Sequence, residues 1–436
     1  MGTLKAGAVK VDITPDYPVW MDGNPRDRKS ERVHDPISAR ALVLEGEAES
    51  LALVSVEVCG LPDDTVRELR KEIAEATGIP VERQVIACAH IHSGPATVGS
   101  FCPREEEYSR WLRGRIAAAV CEAKAKMMPA LAASGSGEEY TISEYRRLWT
   151  RDGRIVMNWD EFAPEEILGP AGPTDPEVGV VRINAATGGT IAVLYNHAGH
   201  PNTPPGTWFQ ISGDYPAYAS DMIERRLGGV AVFTNGAQGS VDIPAFRERD
   251  WPGMERKGAW LGREVIAVAE GLRPHCVGFA VARSAFRLAV REVDPEYVKW
   301  ARKLLAESKR GPVNIRDGVD DTIYAQSCLK LVDSGRTTFD IEMVAFTLGG
   351  AAFVTIPGEL YTEIGLRIKK ASPMPRTLIV DLANGSVGYI PTSRAIREGG
   401  YAEHPGCSRV SVHADDILTE EALALLGRLK ARVGRY

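Results

Sequence analysis

The chain has 436 residues, of which 44% are hydrophobic, with a formal net charge of −6 and a pI of about 5.9. A chain of this size buries a full core without staples. Its charges are scattered rather than run together, which excludes nucleic acid as the main partner, because phosphate binding needs a concentrated basic face. No Lys/Arg-rich amphipathic stretch marks stable membrane association, and no run of 18 apolar residues is available to span a bilayer.

The first residues, MGTLKAGAVKVDITP, alternate like a strand and lack the apolar run of a signal peptide, so the reading places the protein in the cytoplasm. Seven cysteines, an odd number without CxxC spacing, fit reduced buried thiols better than a disulfide set. ARALVLE and LALVSVEV (39–45 and 51–58) read as strands, DDTVRELRKEIAEATG (63–78) as a helix ended by Gly78, QVIACAH (84–90) as a strand, and 105–128 as a helix closed by Pro129. GTIAVLYNH, GVAVFTN, AAFVTIP and TLIVDLAN are further apolar runs of strand length. The Pro/Gly-rich stretch 129–176 reads as a long loop forming an active-site wall. The pattern predicts an α/β protein with mixed or largely parallel sheets covered by helices. It forms one catalytic domain over 1–436, with a small appendage after about residue 400.

Four strands end in polar punctuation: AHIHSGP, NHAGHPN, IPGEL and LANGSVGY. Ligands of open α/β sheets bind beyond the carboxyl ends of strands, so these segments predict one site there, a metal site. His90 and His92, two apart, point to the same side if the backbone stays extended. His92 equally suits a cap on the Ser93-Gly94-Pro95 turn. His200 is the better ligand candidate of its segment, and His197 packs or supports. Glu359 either meets the dipole of a following helix or joins two imidazoles in a catalytic zinc set with an open position. The turn in GVAVFTNGAQGSVDIP reads as an ordinary tight turn or as an oxyanion-binding nest. No Walker A lysine, GxGxxG after a strand or GxSxG elbow occurs, which leaves the corresponding nucleotide and α/β-hydrolase readings without support.

The ordered set GAVKVDITP, AHIHSGPA, Arg146-Arg147 ahead of Asp152-Gly153, ISGDYPAYAS, NGAQGS, IPGELYTEIG, and Tyr389 followed by Tyr401 resembles the catalytic domain of neutral, non-lysosomal ceramidases and their bacterial relatives. The resemblance implies a Zn2+ site of His90, His200, Glu359 and Tyr389. It implies that His92, Arg146 and Tyr401 polarise the substrate and bind the transition state. The chain departs from that pattern where the family's proposed serine nucleophile would stand: Asp242 occupies the position, and Ser240 lies two residues away. The reading also expects neither the secretion signal nor the C-terminal immunoglobulin-like domain of membrane-acting members. These features predict hydrolysis of an N-acyl bond in a soluble small-molecule substrate by metal-activated water, with Asp242 or His92 accepting the proton. Arg146, Tyr401 and turn N–H groups would stabilise the oxyanion, and a route through Ser240 is the lesser alternative. The other readings are a hydrolase of a cyclic amide, ester or carbohydrate derivative, and a silent ligand-binding relative. Nothing in the sequence sets the oligomeric state.

Overall fold

The computed structural model describes residues 4–47, 49–244, 248–276, 278–308 and 320–433. Alternation along the strands sets the layers. In Ser38–Glu45 and Ser50–Val56, Leu42, Leu44, Leu51 and Leu53 face one way, while Ala41, Val43, Ala52 and Val54 face the other. Both sets are buried, because the eight-stranded sheet they belong to is covered on both faces.

The order of that sheet is Val230–Asn235, Thr190–His197, Glu177–Ala185, Met128–Glu138, Leu4–Asp12, Ser38–Glu45, Ser50–Val56, Gln84–Cys88. Its two outermost pairs are parallel and the inner pairs antiparallel, so the sheet is mixed with antiparallel pairing dominant. A second sheet, in the order Val281–Ala289, Thr338–Leu348, Ala351–Thr355, Thr377–Val380, packs face to face on the first. Leu44, Leu53, Val181 and Leu194 of one sheet meet Phe346, Phe353 and Leu378 of the other, with Phe346 and Phe353 stacked at 4.7 Å.

Helices cover the outer faces. Asp63–Thr77 begins after Pro62 with two aspartates in its first turn, ends at the left-handed Gly78, and buries Val66, Leu69 and Ile73 at helical spacing. Glu106–Ala125, Asp214–Leu227 and Trp251–Gly271 share that layer. Thr362–Ala371 and Ala414–Val433 cover the second sheet, the latter through Leu418, Ala422, Leu425 and Leu429. The four layers are therefore helix, sheet, sheet, helix.

Two expectations change. The 129–176 stretch is not a single loop: Met128–Glu138 is an eleven-residue strand inside the large sheet, and Arg147–Thr150, Ile155–Met157 and Ile167–Pro170 form a small sheet of their own. Its Ala, Ser and Gly residues hid the strand, since small side chains suit a tightly covered face but carry little apolar signal. The segment after residue 400 is not an appendage either, because its last helix closes the second core.

One ion-pair cluster ties the large sheet to its helical layer. Arg40, 2% exposed, meets Glu57 and reaches Glu224 of helix Asp214–Leu227 at 3.2 Å. Glu57 also accepts from the Ser38 N–H at 2.6 Å. Removing one member of a buried pair strands the other charge. Arg40→Met is expected to lower unfolding free energy in urea by about 3–5 kcal/mol, and the double change Arg40→Met with Glu57→Leu to recover most of that loss.

Candidate metal centre and cleft

Strand Gln84–Cys88 stops two residues before His90, which lies in the left-handed region at φ 66. The extended geometry expected for His90 and His92 is thus replaced by a strained turn, and it is this turn that folds both imidazoles toward one point. Such a conformation costs about 1–3 kcal/mol for a residue with a Cβ and persists only where surroundings enforce it. Here Ala89 N–H donates to Val56 O at 2.8 Å and His90 N–H to Val58 O at 3.0 Å. His92 is held by its N–H on Pro201 O at 3.1 Å and by the Arg26 guanidinium on its own carbonyl at 2.8 Å. Gly23 lies flat against it, so close that a Cβ there would sit 2.4 Å from the ring.

The other members come from neighbouring strand ends. His200 follows Thr190–His197, and Glu359 follows Ala351–Thr355 through Pro357 and Gly358. Glu359 is not in the first turn of a helix, since helix Thr362–Ala371 starts later and Glu363 takes that place. It lies instead in a two-residue strand paired in parallel with Tyr389–Ile390, so that Glu359 and Tyr389 are register partners.

Three imidazole nitrogens converge. His92 Nε2 lies 3.3 Å from His90 Nε2 and 3.0 Å from His200 Nε2, and His90 Nε2 is 3.3 Å from a Glu359 oxygen. All four residues are buried. His90 Nδ1 donates to the Cys59 carbonyl at 2.7 Å, which fixes the tautomer and leaves Nε2 with its lone pair facing the cluster. His90, His200 and Glu359 place their donor atoms within 4.8 Å of one another, as do Cys59, His90 and His92.

The electrostatics favour a cation at this point. Burial, then the adjacent imidazoles, drives His92 well below the ordinary histidine range. Burial, then His90 and Arg146, does the same to His200. At His90 burial opposes charge, yet Cys59 and Glu359 outweigh it and raise its proton affinity. Burial also works against the Glu359 carboxylate, but His90 and Arg146 keep it below its usual range. Imidazoles and a carboxylate converging on a spot that stabilises positive charge at His90 fit a divalent metal ion. His90, His200 and Glu359 would hold it.

Tyr389 hydrogen-bonds to Glu359 and accepts from Arg146 at 3.4 Å, with the Arg146 guanidinium carbon 4.5 Å from its ring centroid. Burial raises its phenol well above the ordinary value. Tyr401 packs edge-on to Tyr389 at 5.8 Å, and Trp159 edge-on to Tyr401 at 5.6 Å. Arg146 is 1% exposed, and its Nε and Nη2 have no hydrogen-bond partner among the described residues. All of these line one cleft of about 1410 Å³.

Asp242 lines the same cleft, accepts from Ile243 N–H at 2.6 Å and lies 3.4 Å from Arg249. Ser240 is turned away: its buried hydroxyl accepts from Thr362 N–H at 2.9 Å and donates to Thr362 Oγ1 at 3.0 Å. His197 packs, its Nδ1 facing Glu177 O at 3.3 Å. The turn after Val230–Asn235 is not an open anion nest. Its N–H groups are taken internally, Gly236 by His197 O, Gly239 by Leu360 O and Gln238 by Asp381. Gly239 is needed there, since a Cβ would lie 2.2 Å from Glu359 O.

Sequence reasoning missed Cys59, Gln238, Trp159 and Asp381. Gln238 donates to Glu359 at 3.4 Å, and Asp381 accepts from Leu360 N–H at 2.9 Å and Gln238 N–H at 3.3 Å. Only Asp381 carried a signal, as a carboxylate directly after the apolar run TLIV.

No family model and no curated protein sequence matches the chain. Its structure is similar to neutral ceramidase from Pseudomonas aeruginosa, with a TM-score of 0.76 at 17% identity over 99% of this chain and 75% of that one. It is equally similar to a ceramidase complexed with C2, at a TM-score of 0.75 and 16% identity over 99% and 76% of the two chains. The chain has the neutral ceramidase fold.

Asp381 fastens the Glu359 segment to the Gln238 turn without touching the cleft floor. Asp381→Asn keeps one acceptor oxygen and is expected to melt within a few degrees of the parent. Asp381→Ala strands two buried N–H groups and should cost about 1–3 kcal/mol for each in chemical denaturation.

Proposed function

We propose that the protein is a zinc-dependent hydrolase of the ceramidase type that cleaves the N-acyl bond of a soluble small-molecule amide. The observation that carries this reading is the meeting of His90, His200 and Glu359 on the floor of the cleft, beside His92. The likeness to two ceramidase structures supports it. No helix among the described residues is long and apolar enough to cross a membrane.

His90, His200 and Glu359 hold the ion, with Tyr389 as the fourth candidate, its hydroxyl already beside Glu359. A zinc ion there supplies Lewis-acid polarisation and makes water a stronger acid. His92, neutral because of burial and its imidazole neighbours, takes a proton at Nε2 from the attacking water and returns it to the departing amine. Arg146 offers two unpartnered N–H donors to the oxygen that gains charge when the carbonyl is attacked, and Tyr401 borders the same space. Asp242, already bound to Ile243 N–H and close to Arg249, holds that wall and orients substrate. His92 is favoured over Asp242 as proton acceptor because it touches the cluster.

The purified protein is expected to carry about one zinc per chain by elemental analysis. His90→Ala and His200→Ala should lose it while still melting cooperatively, and full zinc in both would overturn the site. His92→Ala, with zinc retained, should lose roughly 10² to 10⁴ in kcat on short-chain N-acyl amides. Asp242→Asn should act mainly on KM. An equally large kcat loss in Asp242→Asn beside an active His92→Ala would reverse the two roles. Turnover is expected to be greater on soluble short-chain N-acyl compounds than on long-chain ceramide in vesicles.

A further inference from the structure

The cleft is basic although the chain is acidic. Nine Lys and Arg residues against five Asp and Glu line it, while the whole chain carries −6. On the wall contributed by the second sheet, Arg336 and Arg409 both lie against Phe339, their guanidinium carbons 4.7 and 5.4 Å from its ring centroid. Lys330 lines the same wall from helix Asp321–Asp333.

Arg409 is fixed: its Nε donates to Val387 O at 3.0 Å and its Nη2 to Ser386 O at 2.6 Å. These carbonyls belong to the turn that carries Tyr389, so Arg409 stands beside the metal centre. Among the described residues no carboxylate forms an ion pair with Lys330, Arg336 or Arg409. Asp63, the acid acting most strongly on Arg409, is engaged by Ser386 N–H at 3.3 Å. Burial and the Arg336 charge both work against the charge on Arg409, and an anion between the two guanidiniums would relieve both costs.

Resting on the hydrolase reading, we propose that the substrate is an N-acyl compound bearing an oxyanion, a carboxylate, sulfate or phosphate monoester, and that Arg336 and Arg409 with Lys330 bind that group. Leu331 and Ile323 on the same wall offer the neighbouring methylene groups an apolar surface. Two alkyl chains and a neutral head would leave these cations without a counter-charge.

The test compares N-acylglycines with the matched N-acylglycinamides, which differ by one charge, on the zinc-loaded protein. The anionic member is expected to show kcat/KM higher by about 10-fold or more, an advantage that shrinks with added salt. Arg336→Gln and Lys330→Gln replace exposed side chains and leave the fold intact. They should erase the advantage through KM and spare kcat on the amide. Arg409→Lys keeps the charge and should retain part of it. Equal rates on the two members, or an advantage untouched by Arg336→Gln, would overturn the subsite. If neither compound is turned over, the hydrolase reading fails on its own, and calorimetric titration with N-acylglycine still tests the subsite. Binding that Arg336→Gln weakens by about 10-fold supports it, and binding indifferent to that change, or none, overturns it.

Discussion

Three buried imidazoles, with His92 Nε2 within 3.3 Å of the Nε2 atoms of both His90 and His200, face a carboxylate and form an arrangement that repels itself unless a proton or a cation sits among the lone pairs. The protein spends conformational energy to hold it. His90 accepts a left-handed backbone, and so do Asp214, Leu382 and Asn384. Leu382 and Asn384 belong to the segment that stitches the cluster together, so part of the strain is concentrated where the chain must bring separate strand ends to one place.

That stitching explains why the site needs both sheets. Residues 381–384 leave the second sheet and enter between the two outermost strands of the first. Asp381 N–H donates to Asn235 O at 3.0 Å, Cys88 N–H to Leu382 O at 3.2 Å, and Asn384 N–H to Ile86 O at 2.8 Å. The Asn384 side chain completes the clasp, accepting from Ile86 N–H and donating to Gln84 O, both at 2.9 Å. His90 and His200 come from the first sheet, Glu359 and Tyr389 from the second, and this segment sets their spacing.

Much of this was legible in the sequence because the signals were local. Apolar runs marked the central strands, Gly78 closed its helix, and polar residues directly after strand ends named His90, His200 and Glu359 as neighbours. What stayed hidden depends on contacts between distant segments. Met128–Glu138 is a central strand built from small residues, so periodicity had little to register. The left-handed turn at His90 follows from hydrogen bonds to Val56 and Val58 rather than from its own neighbours in sequence. Asp242 takes the family's serine position in the sequence, with Ser240 as the lesser alternative, and only the folded turn separates them: Ser240 precedes the two-residue strand Val241–Asp242 and hydrogen-bonds to Thr362, while Asp242 lines the cleft. The turn at Gly236–Gly239 read as a possible anion site, yet the Gln238 and Gly239 N–H groups go to Asp381 and Leu360 O beside Glu359, and that of Gly236 goes to His197 O.

The division of labour between sheet ends and walls separates chemistry from specificity. Groups that hold the cluster are anchored in the cores: Glu359 through Leu360 and Asp381, His90 through Cys59 O, His92 through Gly23 and Arg26. A change there is transmitted to the packing of two sheets. Arg336 and Lys330 stand on an exposed turn and on the exposed face of a helix, where replacement disturbs nothing beneath. A fold shared at 17% identity therefore does not by itself fix what the walls of the cleft bind. In the proposed reading, the charge of the wall, not the likeness of the fold, is the feature that selects what enters.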